Sequence, residues 1–144
     1  MSENSWSWTI HTSLPSKHGA HEPCVREVLA QLKLLGWTDR DLFAVEMALV
    51  ESLINAMRHG NGLDSQKKVD VECKASDQHF WMRVRDEGPG FRPDAVPDCT
   101  SEENLERCCG RGLALMKAYM SHVEYNDSGN TVTMEKFRTT GLTP

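Results

Sequence analysis

No run of lysine or arginine occurs in this chain, whose 16 basic residues are outnumbered by 21 acidic ones for a formal net charge of -5. A surface that grips nucleic acid needs clustered cations against the phosphates, so no direct nucleic-acid partner is expected. No stretch approaches the roughly 18 apolar residues of a membrane span. The N-terminus, MSENSWSWTIHTSLPSKHG, has neither a basic start nor an apolar core of signal-peptide length. A cytoplasmic protein without membrane contact is the expectation. The five cysteines, Cys24, Cys73, Cys99, Cys108 and Cys109, form no CxxC pair and have no histidine at zinc-site spacing. That argues against a structural zinc module and for free thiols in a reducing compartment. The vicinal pair Cys108 and Cys109 leaves a redox role open.

What is present is 144 residues, 39% hydrophobic and 26% charged, enough for one globular core. Residues 1–138 read as a single domain and 139–144, TTGLTP, as a disordered tail. Residues 6–12 alternate Trp6, Trp8 and Ile10 against Ser7, Thr9 and His11, the pattern of a half-buried strand. Those tryptophans either cover the core or, near a terminus, form a dimer contact. Val25, Val28, Leu29, Leu32 and Leu35 recur at spacings of three and four between Pro23 and Gly36, which predicts a helix. Thr38 with Asp41 three residues on reads as a capping box opening a second helix.

That second helix, Leu42 to Gly62, carries the informative residues. Leu42, Val45, Leu49, Leu53 and Ala56 form one apolar stripe, and Phe43, Met47, Val50 and Ile54 a second. Between them run Ala44, Ala48, Glu51 and Asn55, so that a carboxylate and a carboxamide one turn apart lie beside small side chains that leave a groove. Taken alone, such a pair is more often solvent-facing. Gly60-Asn61-Gly62 then breaks the helix.

Downstream, Val69, Val71 and Cys73, and then Phe80, Met82 and Val84, alternate with polar residues about a turn at Ser76-Asp77-Gln78, which predicts a hairpin. Its second strand ends in Asp86-Glu87-Gly88-Pro89-Gly90-Phe91, a turn whose glycines permit close backbone approach and whose aspartate can accept from an amino group. Residues 92–109 are too long for an ordinary connection and read as a lid or a disordered segment. Gly110-Arg111-Gly112 follows, opening a helix at Leu113. The glycines either offer an anion site at a helix N-terminus or cap a short lid helix. A second hairpin, His122–Asn126 with Thr131–Phe137, turns at Asp127–Asn130.

In order, the chain carries Glu51-Ser-Leu-Ile-Asn55-Ala56 with His59-Gly60-Asn61, then Asp86-Glu-Gly88-Pro-Gly90-Phe91, then Gly110-Arg-Gly112-Leu113-Ala-Leu115-Met116. These resemble the N box and two glycine boxes of the ATPases that include gyrase, histidine kinases and the mismatch-repair proteins. Among them the chain is most similar to the free-standing anti-sigma-factor serine kinases. The resemblance implies the Bergerat fold: an α+β two-layer sandwich with a mixed, mostly antiparallel sheet of about five strands and helices packed on one face.

The same resemblance implies ATP and Mg2+ as cofactors. Asn55 would be the metal ligand, a hard oxygen donor for a hard cation. Glu51 would be the general base. Asp86 would accept from the adenine amino group with Thr131 in support, and Gly88 and Gly90 would let the backbone pass close to the base. Gly110, Arg111, Gly112 and Leu113 would hold the phosphates at the helix start. Apart from the resemblance, the cationic side chains of Arg107 and Arg111 in or beside that segment make them candidates for charge stabilisation. His59 suggests no chemistry.

The function implied is an ATP-dependent serine/threonine protein kinase that holds a sigma factor and phosphorylates a small anti-anti-sigma antagonist. The alternative is a non-catalytic module that senses ATP against ADP and sequesters a regulatory partner. The aromatic first strand leaves a homodimer open as a further association.

Overall fold

The computed structural model describes residues 6–88 and 110–139, the side chains of 110–113 excepted. Gly90, Arg107, Cys99, Cys108, Cys109, the 92–109 connection and the tail from 140 onward lie outside the described residues. Five strands form one sheet: β1 (Trp8–Pro15), β2 (Lys68–Ala75), β3 (His79–Arg85), β4 (His122–Tyr125) and β5 (Thr131–Phe137). Their spatial order is β1-β2-β3-β5-β4, and every pair is antiparallel. The sheet expected to be mixed and mostly antiparallel is, among the described residues, antiparallel throughout.

Strand alternation decides which face is covered. Val69, Val71, Cys73 and Ala75 on β2, Phe80, Met82 and Val84 on β3, and Val132 and Met134 on β5 are all buried. Three helices close that face: α1 (Glu22–Leu34), α2 (Asp39–Asn55) and α3 (Gly110–Tyr119). Val28, Leu32, Val45, Leu49, Leu53 and Met116 from the helices join the strand residues in one apolar core. The opposite face carries the intervening residues, among them Glu72 bonded to Arg83 at 2.8 Å and Lys74 lying 5.0 Å from the Trp81 ring. The α+β two-layer arrangement expected from the sequence is the one observed.

The first strand begins two residues later than expected. Trp8 packs against the core, while Trp6 lies outside β1 with its ring 5.0 Å from that of His79. Gly36 follows α1 with φ +93°, a left-handed conformation that suits glycine at a helix end. Cys24 and Cys73 are free and buried, and burial pushes both thiols up, away from the reactive thiolate range. Among the described residues no helix is long and apolar enough to cross a membrane.

Two expectations for α2 change. Thr38 occupies the N-cap position, but its side chain makes no capping bond. Asp41, the other half of the expected capping box, is instead buried against residues from the far end of the chain. Its Oδ2 accepts the Thr139 backbone N–H at 2.8 Å and its Oδ1 accepts the Thr139 hydroxyl at 2.8 Å, with Lys136 Nζ at 3.8 Å. Thr139, read as the first tail residue, is thus fixed to α2, and Arg138 beside it donates to the carbonyls of Gly36 (2.6 Å) and Asp77 (3.1 Å). The second change concerns the small side chains. Ala44 and Ala48 are 3% and 0% exposed and belong to the buried face, so they do not line a groove. Phe43 is 52% exposed and meets Tyr119 of α3 edge-on, 5.7 Å between ring centres, instead of forming a covered flank.

Replacing Asp41 with alanine strands two donors at Thr139 and should cost about 2 kcal/mol of stability. Thr38→Ala removes no capping bond and should cost less than about 0.5 kcal/mol. Urea denaturation of the two variants checks the ranking, and a larger loss at Thr38 would restore the capping box.

Candidate nucleotide site

Asn55 is the last residue of α2, and the next turn, Ala56–Gly60, is π-helical. The Asn61 N–H reaches back five residues to the Ala56 carbonyl at 2.9 Å, and Leu63 N–H reaches the Met57 carbonyl at 2.8 Å. Such wide turns appear mostly singly and often at functional sites. Here the turn carries the chain under the end of β3, where the sequence reading had only a helix broken at Gly60-Asn61-Gly62.

The contact between the two segments is backbone to backbone. A Cβ at Gly88 would fall on the Gly60 carbonyl oxygen, and a Cβ at Gly60 would strike the Asp86 carboxylate. Both positions therefore require glycine for packing within the protein. Gly88, assigned from the sequence to the approach of a ligand, has Gly60 as its immediate neighbour.

Between these segments opens a cavity of about 520 Å³, its mouth included. Asn55, Ala56, His59 and Gly60 form one wall with Ser52, and Val84 and Asp86 continue it along β3. Tyr125, Gly129, Asn130 and Val132 close the side of the second hairpin. The lining is mainly apolar with a few polar groups, the character of a small-molecule pocket.

Asp86 is the charged group at the end of the β3 wall. Its N–H donates to the Asn130 carbonyl at 2.9 Å, and its Oδ1 accepts the Gly88 N–H at 2.8 Å. Oδ2 has no partner among the described residues. Burial raises the carboxyl above its ordinary value, and the Gly88 hydrogen bond only partly opposes that. Asn55 presents the second unpaired group. Its Nδ2 is buried without a hydrogen-bond partner among the described residues. A buried amide end with no partner is costly and rare, and is the kind of atom that a bound ligand satisfies. Turning the carboxamide over would present its oxygen at the same place, as a hard donor for a cation.

The remaining predicted residues divide. Glu51 is half-buried one turn before Asn55, yet it does not line the cavity and makes no hydrogen bond or ion pair with any described residue. Thr131 also lies off the cavity, although its neighbours Asn130 and Val132 line it; its hydroxyl donates to Asn130 Oδ1 at 3.1 Å. Gly110, Arg111, Gly112 and Leu113 are the first residues of α3, so the expected glycine loop is itself the first helical turn. The first-turn N–H groups have no intrahelical partners, whether or not a loop precedes them.

Sequence reasoning quoted His59 within the first motif but gave it no role, and it did not place Tyr125, Gly129 or Asn130 at the site. Val84 and Val132 were visible as the buried positions nearest the strand ends. Tyr125 and Gly129 could be placed only once β5 was known to pair with β3 and β4 with β5.

The chain matches the description "Histidine kinase-like ATPase domain" over residues 14–136. It is similar to an anti-sigma F factor of Clostridium perfringens (strain ATCC 13124), 30% identical over 115 residues, which cover 76% of this chain and 81% of that protein. An anti-sigma F factor of Oceanobacillus iheyensis is 29% identical over 102 residues, covering 67% of this chain and 69% of the relative. Among solved structures, that of the RsbU and RsbW domains of Rv1364c from Mycobacterium tuberculosis superposes with a TM-score of 0.56 at 20% identity. That likeness covers 92% of this chain and 32% of the longer chain, and it concerns the fold alone. With the family description spanning the three helices and the sheet from the end of β1 to all but the last residue of β5, and the cavity set against its first motif, the chain belongs to the histidine kinase-like ATPase domain family.

Proposed function

We propose that this chain is an ATP- and Mg2+-dependent serine/threonine protein kinase that acts in the cytoplasm as an anti-sigma regulator. It would hold a sigma factor, phosphorylate a small anti-anti-sigma antagonist, and so exchange partners. The observation that carries the reading is the cavity itself: an apolar slot with Asp86 Oδ2 in one wall and Asn55 Nδ2 in another, both without a hydrogen-bond partner among the described residues. The names of the relatives, anti-sigma F factors, support the choice of partners.

The residues present fit such a nucleotide. Asp86 accepts from the exocyclic amino group of adenine, a donor that guanine does not offer at that position. Val84, Val132 and Ala56 provide apolar cover for the base, and Thr131 acts indirectly, through its bond to Asn130. Asn55 supplies the metal ligand, while the backbone of Gly110, Arg111, Gly112 and Leu113 offers the first-turn amides of α3 to phosphate oxygens. Bound Mg-ATP supplies the phosphoryl group and the cation that offsets its charge. Glu51 takes the proton from the attacking serine hydroxyl.

One observation favours a second reading, an ATP/ADP-sensing module that binds partners without phosphotransfer. Glu51 stands outside the described cavity, and among the described residues none orients it, whereas a general base is usually held in place by a neighbour.

Glu51→Gln separates the two readings. It should keep nucleotide binding and lower transfer of labelled phosphate to a co-purified antagonist by about a hundredfold or more. A fully active variant removes Glu51 from the chemistry, and a wild-type protein that binds ATP but transfers nothing favours the sensing module. Asn55→Ala should weaken ATP at least about tenfold when Mg2+ is present, as expected for loss of a polar contact to a charged group. Calorimetry that finds no change would end the metal assignment.

Asp86→Asn should weaken ATP by about tenfold or more and erode its preference over GTP, while raising the melting temperature of the free protein. The sign follows from linkage. Burial raises the folded-state value of this carboxyl, so its ionised form costs the fold some stability, and asparagine keeps the Gly88 acceptor without that cost. The gain should be full above the raised value and vanish toward about pH 4 and below, where Asp86 is protonated in both states. Calorimetric scans at several pH values check this, and a lower melting temperature for the variant at pH 7 would contradict it.

A further inference from the structure

Asn61 follows the π-helical turn and is 3% exposed, yet it is not among the cavity's lining residues. Its side chain is nonetheless bonded on three sides. Oδ1 accepts the Glu87 N–H at 2.7 Å, and Nδ2 donates to the Lys68 carbonyl at 3.0 Å and to Ser16 Oγ at 2.9 Å. Glu87 in turn accepts the Lys68 N–H through Oε2. The hydrogen bonds close a ring, Asn61 to Lys68 to Glu87 and back to Asn61, with Glu87 immediately after Asp86.

We infer that Asn61 is a positioning residue for base recognition, setting the orientation of the Asp86–Gly88 turn through the Glu87 N–H. The inference rests on the adenine-reading role proposed for Asp86. Among the described residues Asp86 has two anchors of its own, the Asn130 carbonyl on its N–H and the Gly88 N–H on its Oδ1. The second is local and moves with the turn, so it cannot fix the turn against the rest of the protein. The Glu87 N–H bond can, because Asn61 is itself held by the start of β2 and by Ser16. The geometry also demands it. With Gly88 lying directly on the Gly60 carbonyl, a small rotation of the turn would either open that contact or drive the Asp86 carboxylate into Gly60. Asn61, one residue after Gly60, keeps the two segments in one register. Amide geometry suits the task, since one side chain supplies the acceptor for Glu87 and both donors for β2 and Ser16.

The test compares Asn61→Ala with Asn61→Ser, Ser16→Ala and Asp86→Asn, in calorimetric binding of ATP and GTP and in amide exchange of the free protein. Asn61→Ala should weaken ATP about tenfold, the effect of one well-placed hydrogen bond, with a smaller effect on GTP. The ATP/GTP ratio should fall, and Asn61→Ala should lower it little further in an Asp86→Asn background. Asn61→Ser, too short to reach Glu87, should behave alike if the alanine variant folds poorly. Ser16→Ala removes a bond to Asn61 but leaves Oδ1 on Glu87, so it should lower the melting temperature with the ratio unchanged. The Glu87 amide should be protected in the wild type and in Ser16→Ala, and exchange faster in both Asn61 variants.

An unprotected Glu87 amide in the wild type, equal losses for ATP and GTP, or the same fall in ratio for Ser16→Ala would each overturn the inference. If Asp86→Asn leaves the ATP preference intact, the adenine reading fails and the inference with it. If Asp86→Asn abolishes the preference while both Asn61 variants retain it, only the inference fails.

Discussion

The closed ring of hydrogen bonds among Asn61, Lys68 and Glu87 is the constraint on which the site depends. It joins three separate parts of the chain: the end of the long helix, the start of β2 and the turn after β3. None of these is held there by apolar packing alone. A buried polar side chain is stable only when its groups are satisfied, and here both donors of the buried Asn61 amide and its oxygen all have partners, while Lys68 and Glu87 lie at the surface. Around it the two glycines, Gly60 and Gly88, make the close approach possible, and the ring makes it permanent.

The same logic operates at the other end of α2. Asp41 is buried and holds Thr139, 98 residues away, by two hydrogen bonds. The helix is thus tied to the end of β5 at its N-terminus and, through the π-helical turn, to the end of β3 at its C-terminus. Its buried face supplies Val45, Leu49 and Leu53 to the core, and the turn that follows it supplies the cavity wall. One element carries both stability and site, so the position of Asn55 is set by the packing of the helix that bears it.

At the cavity the interactions run the other way. Among the described residues the desolvated Asp86 carboxylate has a single partner, and the buried Asn55 Nδ2 has none. Both arrangements cost the free protein stability, and both are relieved by a ligand that offers a donor to one and an acceptor or a cation to the other. Unsatisfied polar groups in an apolar slot, supported nearby by a fully satisfied ring, are the physical signature of a binding site within a stable frame.

Much of this was legible before any coordinates. Alternation along Val69–Cys73, Phe80–Val84 and Val132–Met134 identified the core strands, because a strand with one covered face must repeat every second residue. The spacing of Glu51 and Asn55, and the motifs at Asp86 and Gly110, pointed to the family. Local pattern could not assign partners to polar residues. Asp41 looked like half of a capping box because its nearest candidates in sequence are Thr38 and the helix start, yet its partner is Thr139. Ala44 and Ala48 looked like clearance for a ligand, and proved to be core. Asn61 looked like a helix breaker between glycines, and its three partners lie 7, 26 and 45 residues away. Periodicity reports which face of an element is buried, and that much the sequence alone determined. Which distant backbone groups meet a given side chain depends on strand order and on a π-helical turn, and those the tertiary structure decided.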